Sequence, residues 1–154
     1  MLNQLLPLRV DNTYRGHKLA LWLFASIVFM KVVMSFNAIF NGRMVATSAD
    51  GIPIDTFTPA GAQAVISFLA AWGLAQLIIC LACIVVLARY RALVPFMFAL
   101  LALEHLSRRL IFLLMPVART GTPPGSFVNV VLLALMVVGL ALSLRRRDKL
   151  HAKE

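Results

Sequence analysis

The sequence predicts an all-α fold, a four-helix transmembrane bundle with both termini in the cytoplasm. Three observations predict it. Hydrophobic residues make up 61% of the 154 residues, the mean hydropathy is +0.88, and long apolar segments alternate with short clusters of glycine, proline and charged residues. This composition is too apolar for an ordinary soluble domain, and the length fits a single domain.

The first half of the chain predicts a cytoplasmic lead-in and two helices. The lead-in covers residues 1–18, and the first helix covers residues 19–40. Asn41-Gly42 is expected to stop this helix, and the following loop is rich in turn-forming residues. The second helix is predicted at residues 61–88, which is long enough to cross the hydrocarbon core of a bilayer.

The second half predicts two more helices and a basic cytoplasmic tail. The turn at Arg89-Tyr90-Arg91 is so short that the third helix, residues 92–118, must run back against the second. The break at 121–125 contains two glycines and two prolines. The fourth helix is predicted at residues 126–144 and the tail at residues 145–154.

The distribution of basic residues predicts the orientation of the bundle. Most Lys and Arg lie near the N-terminus, at the 89–91 turn and in the C-terminal tail, whereas the other two loops carry only Arg43 and Arg119. Since basic loops stay in the cytoplasm, both termini are expected there, in a multi-pass inner-membrane protein of bacterial type. The formal charge of +9 therefore indicates contact with membrane lipids, and we predict no nucleic-acid partner.

Charged residues in the middle of the third helix are the strongest functional signal. An ionised side chain at the centre of a membrane helix costs about 2.5–3.5 kcal/mol, so it normally faces partners inside a bundle. Counted from the cytoplasmic helix ends at about 1.5 Å per residue, three polar side chains reach the same depth on three helices: Lys31, Gln76 and Glu104. Glu104 and Arg108 share one helix face, and His105 and Arg109 share the adjoining one.

This predicted polar cluster has an excess of positive charge. Glu104 can neutralise only one of the three cations Lys31, Arg108 and Arg109. The missing anion is expected to be Asp50 or Asp55 from the outer loop, a lipid phosphate, an anionic ligand or an acidic partner subunit. Three interpretations remain open at this point: a structural network of ion pairs and snorkelling side chains, a ligand or lipid pocket, and a proton or ion path.

Catalytic and metal-binding motifs are not found in the sequence. The histidines lie in separate segments, the two cysteines lie inside an apolar helix, and no motif of a hydrolase, a nucleotide-binding loop or a zinc peptidase occurs. We therefore predict no metal, no catalytic residue and no resident cofactor, except for a bound lipid or quinone.

The layout resembles the DoxX-like group of small bacterial four-helix membrane proteins. The resemblance rests on the long outer loop, the Arg89-Tyr90-Arg91 turn, the Arg108-Arg109 pair and the break at 121–125. It implies a four-helix membrane fold and, since some members are associated with quinone-linked oxidoreductases, a role near such enzymes. It assigns no catalytic residue.

The expected function is a non-catalytic accessory subunit or a binder of a lipid-like or quinone-like molecule. In this hypothesis Arg108 donates hydrogen bonds to the ligand, Lys31 tunes the charge, Glu104 orients both, and Gln76, His105 and Arg109 support them. The expected partners are membrane lipids and either another membrane protein or further copies of this chain. The alternatives are an oligomeric transporter with Glu104 or His105 carrying protons, and a membrane enzyme acting on a lipid or quinone.

Overall fold

The described part of the chain forms four long helices. A computed structural model describes residues 11–14 and 16–145, and within these ranges all regular elements are helical. The long helices are α1 (Lys18–Phe40), α2 (Pro59–Arg89), α3 (Val94–Leu114) and α4 (Pro124–Leu144). The all-α prediction is confirmed, whereas the predictions for residues 1–10 and 146–154 lie outside the described residues.

Three of the helices have the length and composition of membrane spans. These are α1, α2 and α4, with hydropathies of 2.1, 2.5 and 2.6 over their most apolar stretches. The predicted membrane character is therefore confirmed at this level. α3 is not in this group, and it carries Glu104, Arg108 and Arg109 along its length.

The helix starts follow local capping chemistry. The imidazole Nδ1 of His17 accepts a hydrogen bond from the Leu19 amide at 3.2 Å, which fixes the start of α1. The Thr58 hydroxyl accepts from the Gly61 amide at 3.2 Å, and Pro59 occupies the first turn of α2. α2 and α4 both begin two residues earlier than predicted, because a proline is accommodated in each first turn.

The predicted end of the third helix is wrong by four residues. α3 ends at Leu114, and Met115 leaves the helical region with φ −125° and ψ 75°. Pro116 explains the difference, since a proline lacks an amide hydrogen and disfavours helical geometry at the residue before it. The apolar residues 115–118 belong instead to the connection between α3 and α4.

The long connection between α1 and α2 contains more helix than predicted. A short helical turn at Gly42–Met44 continues into a π-helical turn at Val45–Ala49, and a 3-10 turn follows at Ile54–Thr56. Gly51, with φ +69°, adopts a conformation that favours glycine. Its carbonyl accepts hydrogen bonds from the Thr120 amide at 2.8 Å and the Thr120 hydroxyl at 3.2 Å, so the two long connections are joined.

The same loop packs closely against the beginning of α4. A Cβ on Gly125 would lie 2.6 Å from the Ala49 carbonyl oxygen and 3.2 Å from Asp50 Oδ1. Only a residue without a side chain allows this approach. As a result, the Asp50 carboxylate is held against the first turn of α4, where the helix dipole favours negative charge.

The helices pack around a buried aromatic pair. α1 lies along α2 and α4, while α3 packs mainly against α4. The rings of Phe24 and Phe98 meet edge to face, with centroids 5.0 Å apart and planes at 65°. Gly139 of α4 lies directly against the Phe98 ring, so this small residue sets the distance between α3 and α4.

Candidate functional site

The polar cluster is centred on the ammonium group of Lys31. This side chain is 3% exposed, and it donates hydrogen bonds to Gln76 Oε1 at 3.1 Å and to Glu104 Oε2 at 3.2 Å. The three residues come from α1, α2 and α3. The structure therefore brings together the three side chains that helix counting placed at one depth, and it pairs the buried cation with a carboxylate.

Arg108 extends the cluster towards the surface. Its Nε lies 3.8 Å from Glu104 Oε1, and its guanidinium carbon lies 4.6 Å from the ring centroid of Trp72. Its Nη2 is 2.9 Å from His105 Nδ1. Since guanidinium nitrogens only donate hydrogen bonds, Nδ1 of His105 accepts in this contact. Arg108 is thus oriented by a carboxylate, an aromatic face and an imidazole.

The cluster has no room for a ligand between its own members. The void beside Lys31, Gln76 and Trp72 measures about 10 Å³, which is at the lower limit for a single water molecule. A ligand therefore cannot contact Lys31 directly in this arrangement. In the hypothesis drawn from the sequence, Arg108 contacts the ligand and Lys31 tunes the charge.

A larger cavity lies on the other side of Arg108. It has a volume of about 360 Å³ and is bounded by the second half of α3, the connection to α4 and the first turns of α4. We call it the arginine pocket. Its polar lining residues are Asp50, His105, Arg108, Arg109, Arg119, Ser126 and Asn129, and its apolar ones are Phe112, Leu113, Pro116, Val117 and Val130.

The arginine pocket contains three guanidinium groups and one carboxylate. Arg119 donates from Nη1 to the Ser126 hydroxyl at 3.1 Å and lies 5.5 Å from the Phe112 ring centroid. Arg109 is exposed and has no hydrogen-bonding or ionic partner among the described residues. Among the described residues that line the pocket, Asp50 is the only acid. The pocket wall therefore carries two more positive than negative charges.

Asp50 and Asp55, the two acids that the sequence offers as the missing anion, lie in different environments. Asp50 reaches the arginine pocket, whereas Asp55 pairs with Arg43 at 2.7 Å on the protein surface, where the two side chains are 77% and 66% exposed. Asp55 is therefore not the missing anion. Burial raises the pKa of Asp50 above its ordinary value of 3.8, although the neighbouring Arg119 and Arg108 act in the opposite direction.

This shift gives a testable pH dependence. A carboxyl group whose pKa is raised in the folded protein contributes stability that is complete below its ordinary pKa and is lost as the pH rises through the raised value. We therefore expect Asp50→Asn to lose less stability than the wild type between pH 4 and pH 7. Thermal unfolding in detergent at both pH values measures the difference, with Asp55→Asn as the exposed control. An identical pH response of Asp50→Asn and the wild type would contradict this assignment.

The rim of the pocket is apolar and accessible. Phe112 is 46% exposed, Leu113 71% and Val130 45%. They line the same cavity as the guanidinium groups, of which those of Arg109 and Arg119 are also exposed. The site therefore combines cationic and apolar surface, which matches an amphiphilic molecule better than a fully polar one.

The site residues outside α3 were not predicted as a set. Arg119 comes from the α3–α4 connection and contacts Phe112 of α3, whereas Ser126 and Asn129 come from the beginning of α4. The basic character of Arg119 was visible in the sequence, but nothing in the pattern located it beside Arg109.

Comparisons with known proteins give no assignment. The chain matches no family model, no curated protein and no solved structure at a significant level. The resemblance to the DoxX-like group stays a prediction based on layout. Within residues 11–14 and 16–145, no group of three or more His, Cys, Asp and Glu side chains is arranged to hold a metal ion.

Proposed function

We propose that the protein is an inner-membrane binder of an amphiphile with an acidic head group. The head group occupies the arginine pocket, and the tail lies along the exposed apolar surface of α3 and α4. One observation carries this proposal. A cavity of about 360 Å³ is lined by three guanidinium groups, by Asp50 as the one carboxylate among the described lining residues, and by exposed apolar side chains.

The charge imbalance is the physical reason to expect a ligand. Like charges that line one cavity repel one another, and an anion that reaches them offsets this repulsion. Guanidinium groups also match phosphate and carboxylate oxygens geometrically, because they present parallel N–H donors in a fixed plane. Arg108 is already oriented by Glu104 and His105, so part of the site is arranged before the ligand arrives.

In this proposal α3 also crosses the membrane, which completes a four-helix transmembrane bundle. Its 21 residues extend about 30 Å at 1.5 Å per residue, matching the hydrocarbon thickness of a bilayer. The charged residues of α3 are supported by Lys31 on one side and by the ligand on the other. With both termini in the cytoplasm, the arginine pocket faces the outer leaflet, because it lies at the end of α3 and the beginning of α4.

Native mass spectrometry of the protein extracted gently from its own membrane tests this proposal. We expect the wild type to retain an acidic amphiphile, and Arg109→Gln and Arg119→Gln each to reduce its occupancy about tenfold, since a hydrogen bond to a charged group contributes about 1.5–3 kcal/mol. Arg43→Gln is the matched control, because Arg43 is exposed and lies outside the pocket. Equal adducts in all four proteins would contradict the proposal.

A further inference from the structure

We infer that the arginine pocket selects a phosphate monoester head group, which carries two negative charges, over a phosphodiester, which carries one. This inference rests on the proposed function and specifies the chemical class of its ligand. It follows from the charge balance of the pocket, the supply of hydrogen-bond donors and the apolar rim.

The charge balance of the site leaves two positive charges. Lys31 and Glu104 form an ion pair at 3.2 Å and cancel each other. The pocket wall then contains Arg108, Arg109 and Arg119 against Asp50 alone. A phosphodiester would neutralise one of the two remaining charges. A phosphate monoester carries between −1.5 and −2 charges near pH 7, and it neutralises both.

Hydrogen-bond donors in the pocket outnumber hydrogen-bond acceptors, just as positive charges outnumber negative ones. Each guanidinium has five N–H donors and no acceptor. Arg119 directs one nitrogen to Ser126 at 3.1 Å, Arg108 directs one to His105 at 2.9 Å, and Arg109 is unpaired within the described residues. Most of these donors therefore remain free for a ligand. A phosphate monoester offers three terminal oxygens to them, whereas a diester offers two.

Asp50 does not make the pocket favourable for zwitterionic lipids. A lipid with one phosphodiester and one ammonium group has no net charge, so it leaves the positive excess of the pocket unchanged even if its ammonium group pairs with Asp50. The Asp50 carboxylate lies beside the first turn of α4, with Oδ1 3.2 Å from the position that a Cβ on Gly125 would take.

The apolar surface beside the pocket favours a lipid over a soluble phosphate. Leu113 is 71% exposed and Phe112 46% exposed, and both line the pocket together with the guanidinium groups. Because α3 crosses the membrane in the proposed function, this surface lies among acyl chains, and the chain of a lipid whose phosphate enters the pocket packs on it.

Binding to lipids of matched structure tests the inference. The full-length protein is placed in phosphatidylcholine nanodiscs at pH 8 and titrated with phosphatidic acid or phosphatidylmethanol, which differ by one methyl group and one charge. Native mass spectrometry reports the bound fraction of each. We expect phosphatidic acid to bind at least tenfold more tightly, and we expect Arg109→Gln to reduce this preference to about threefold or less, with Arg43→Gln unchanged.

The outcomes separate this inference from the proposed function. Equal binding of the two acidic lipids, above the level of phosphatidylcholine, would overturn the preference for a monoester and leave the proposed function intact. Binding of neither acidic lipid above that level would overturn both. Displacement of phosphatidic acid by equimolar glycerol 3-phosphate would overturn the lipid part of the inference, because the head group alone would then account for the affinity.

Discussion

Replacing Lys31 with methionine is expected to lower the free energy of unfolding by about 3–5 kcal/mol, the usual cost of removing one partner of a buried ion pair. The Lys31 ammonium is the donor shared by Gln76 and Glu104, and it is 3% exposed. Without it, the Gln76 amide oxygen loses its partner and the Glu104 carboxylate keeps only the longer contact to Arg108 at 3.8 Å. Unfolding in mixed detergent micelles, followed by circular dichroism, measures this loss.

Two control variants make this result interpretable. Lys31→Met combined with Glu104→Gln removes both charges, and we expect it to be less destabilising than the sum of the single substitutions. Arg43→Met breaks the exposed pair with Asp55, which is shorter at 2.7 Å but 66% and 77% exposed, and we expect a change within about 1 kcal/mol. If Lys31→Met is no more destabilising than Arg43→Met, the buried pair does not stabilise the bundle as described.

Gly139→Ala is expected to destabilise the contact between α3 and α4 by about 1–3 kcal/mol, the usual cost of overpacking a core. A Cβ at this position would overlap the ring of Phe98. That ring is fully buried and packs edge to face on Phe24, so it cannot move without disturbing a second helix. Thermal unfolding in detergent measures the effect.

The same helix offers a matched control for Gly139. Ala141→Leu enlarges an exposed residue two positions away, and we expect a change of about 0.5 kcal/mol or less. We expect the double variant Gly139→Ala with Phe98→Leu to lose less stability than the sum of the two single substitutions, because the smaller leucine leaves space for the new methyl group. A neutral effect of Gly139→Ala alone would show that the α3–α4 spacing is not set by this contact.

Much of the helical framework could be predicted because it depends on local signals. Long apolar runs and the tight turn at Arg89-Tyr90-Arg91 are both visible in the chain. The end of α3 was misplaced because hydropathy continues past Leu114, while Pro116 ends the helix through its backbone. The π-helical turn at Val45–Ala49 left no signal in the residue pattern.

The inner part of the candidate site could also be anticipated, because helix geometry fixes depth. Lys31, Gln76 and Glu104 lie at similar distances from the start of α1, the end of α2 and the start of α3, and the Lys31 side chain contacts the other two in the structure. Counting residues along a helix predicts the depth of a side chain, but it does not predict where cavities remain between the packed helices. The void beside Lys31 measures about 10 Å³, and the larger cavity lies beside Arg108 instead.

The outer part of the site could not be predicted, because two loops build it. Asp50 and Arg119 come together through the hydrogen bonds of Thr120 with Gly51 and through the close approach of Gly125 to Ala49. These contacts depend on backbone conformation and on a missing Cβ. Such features have no periodicity along the chain, so only the folded structure places the two residues at one cavity.

A crystal structure of the protein grown in a lipid mesophase containing phosphatidic acid tests the central claim most directly. We predict that the phosphate oxygens of the lipid lie within hydrogen-bonding distance, about 2.7–3.2 Å, of at least two of Arg108, Arg109 and Arg119, with the acyl chains along Phe112 and Leu113. The claim would be contradicted by a structure in which these guanidinium groups pair with carboxylates of a second copy of the chain and the lipid phosphate lies elsewhere.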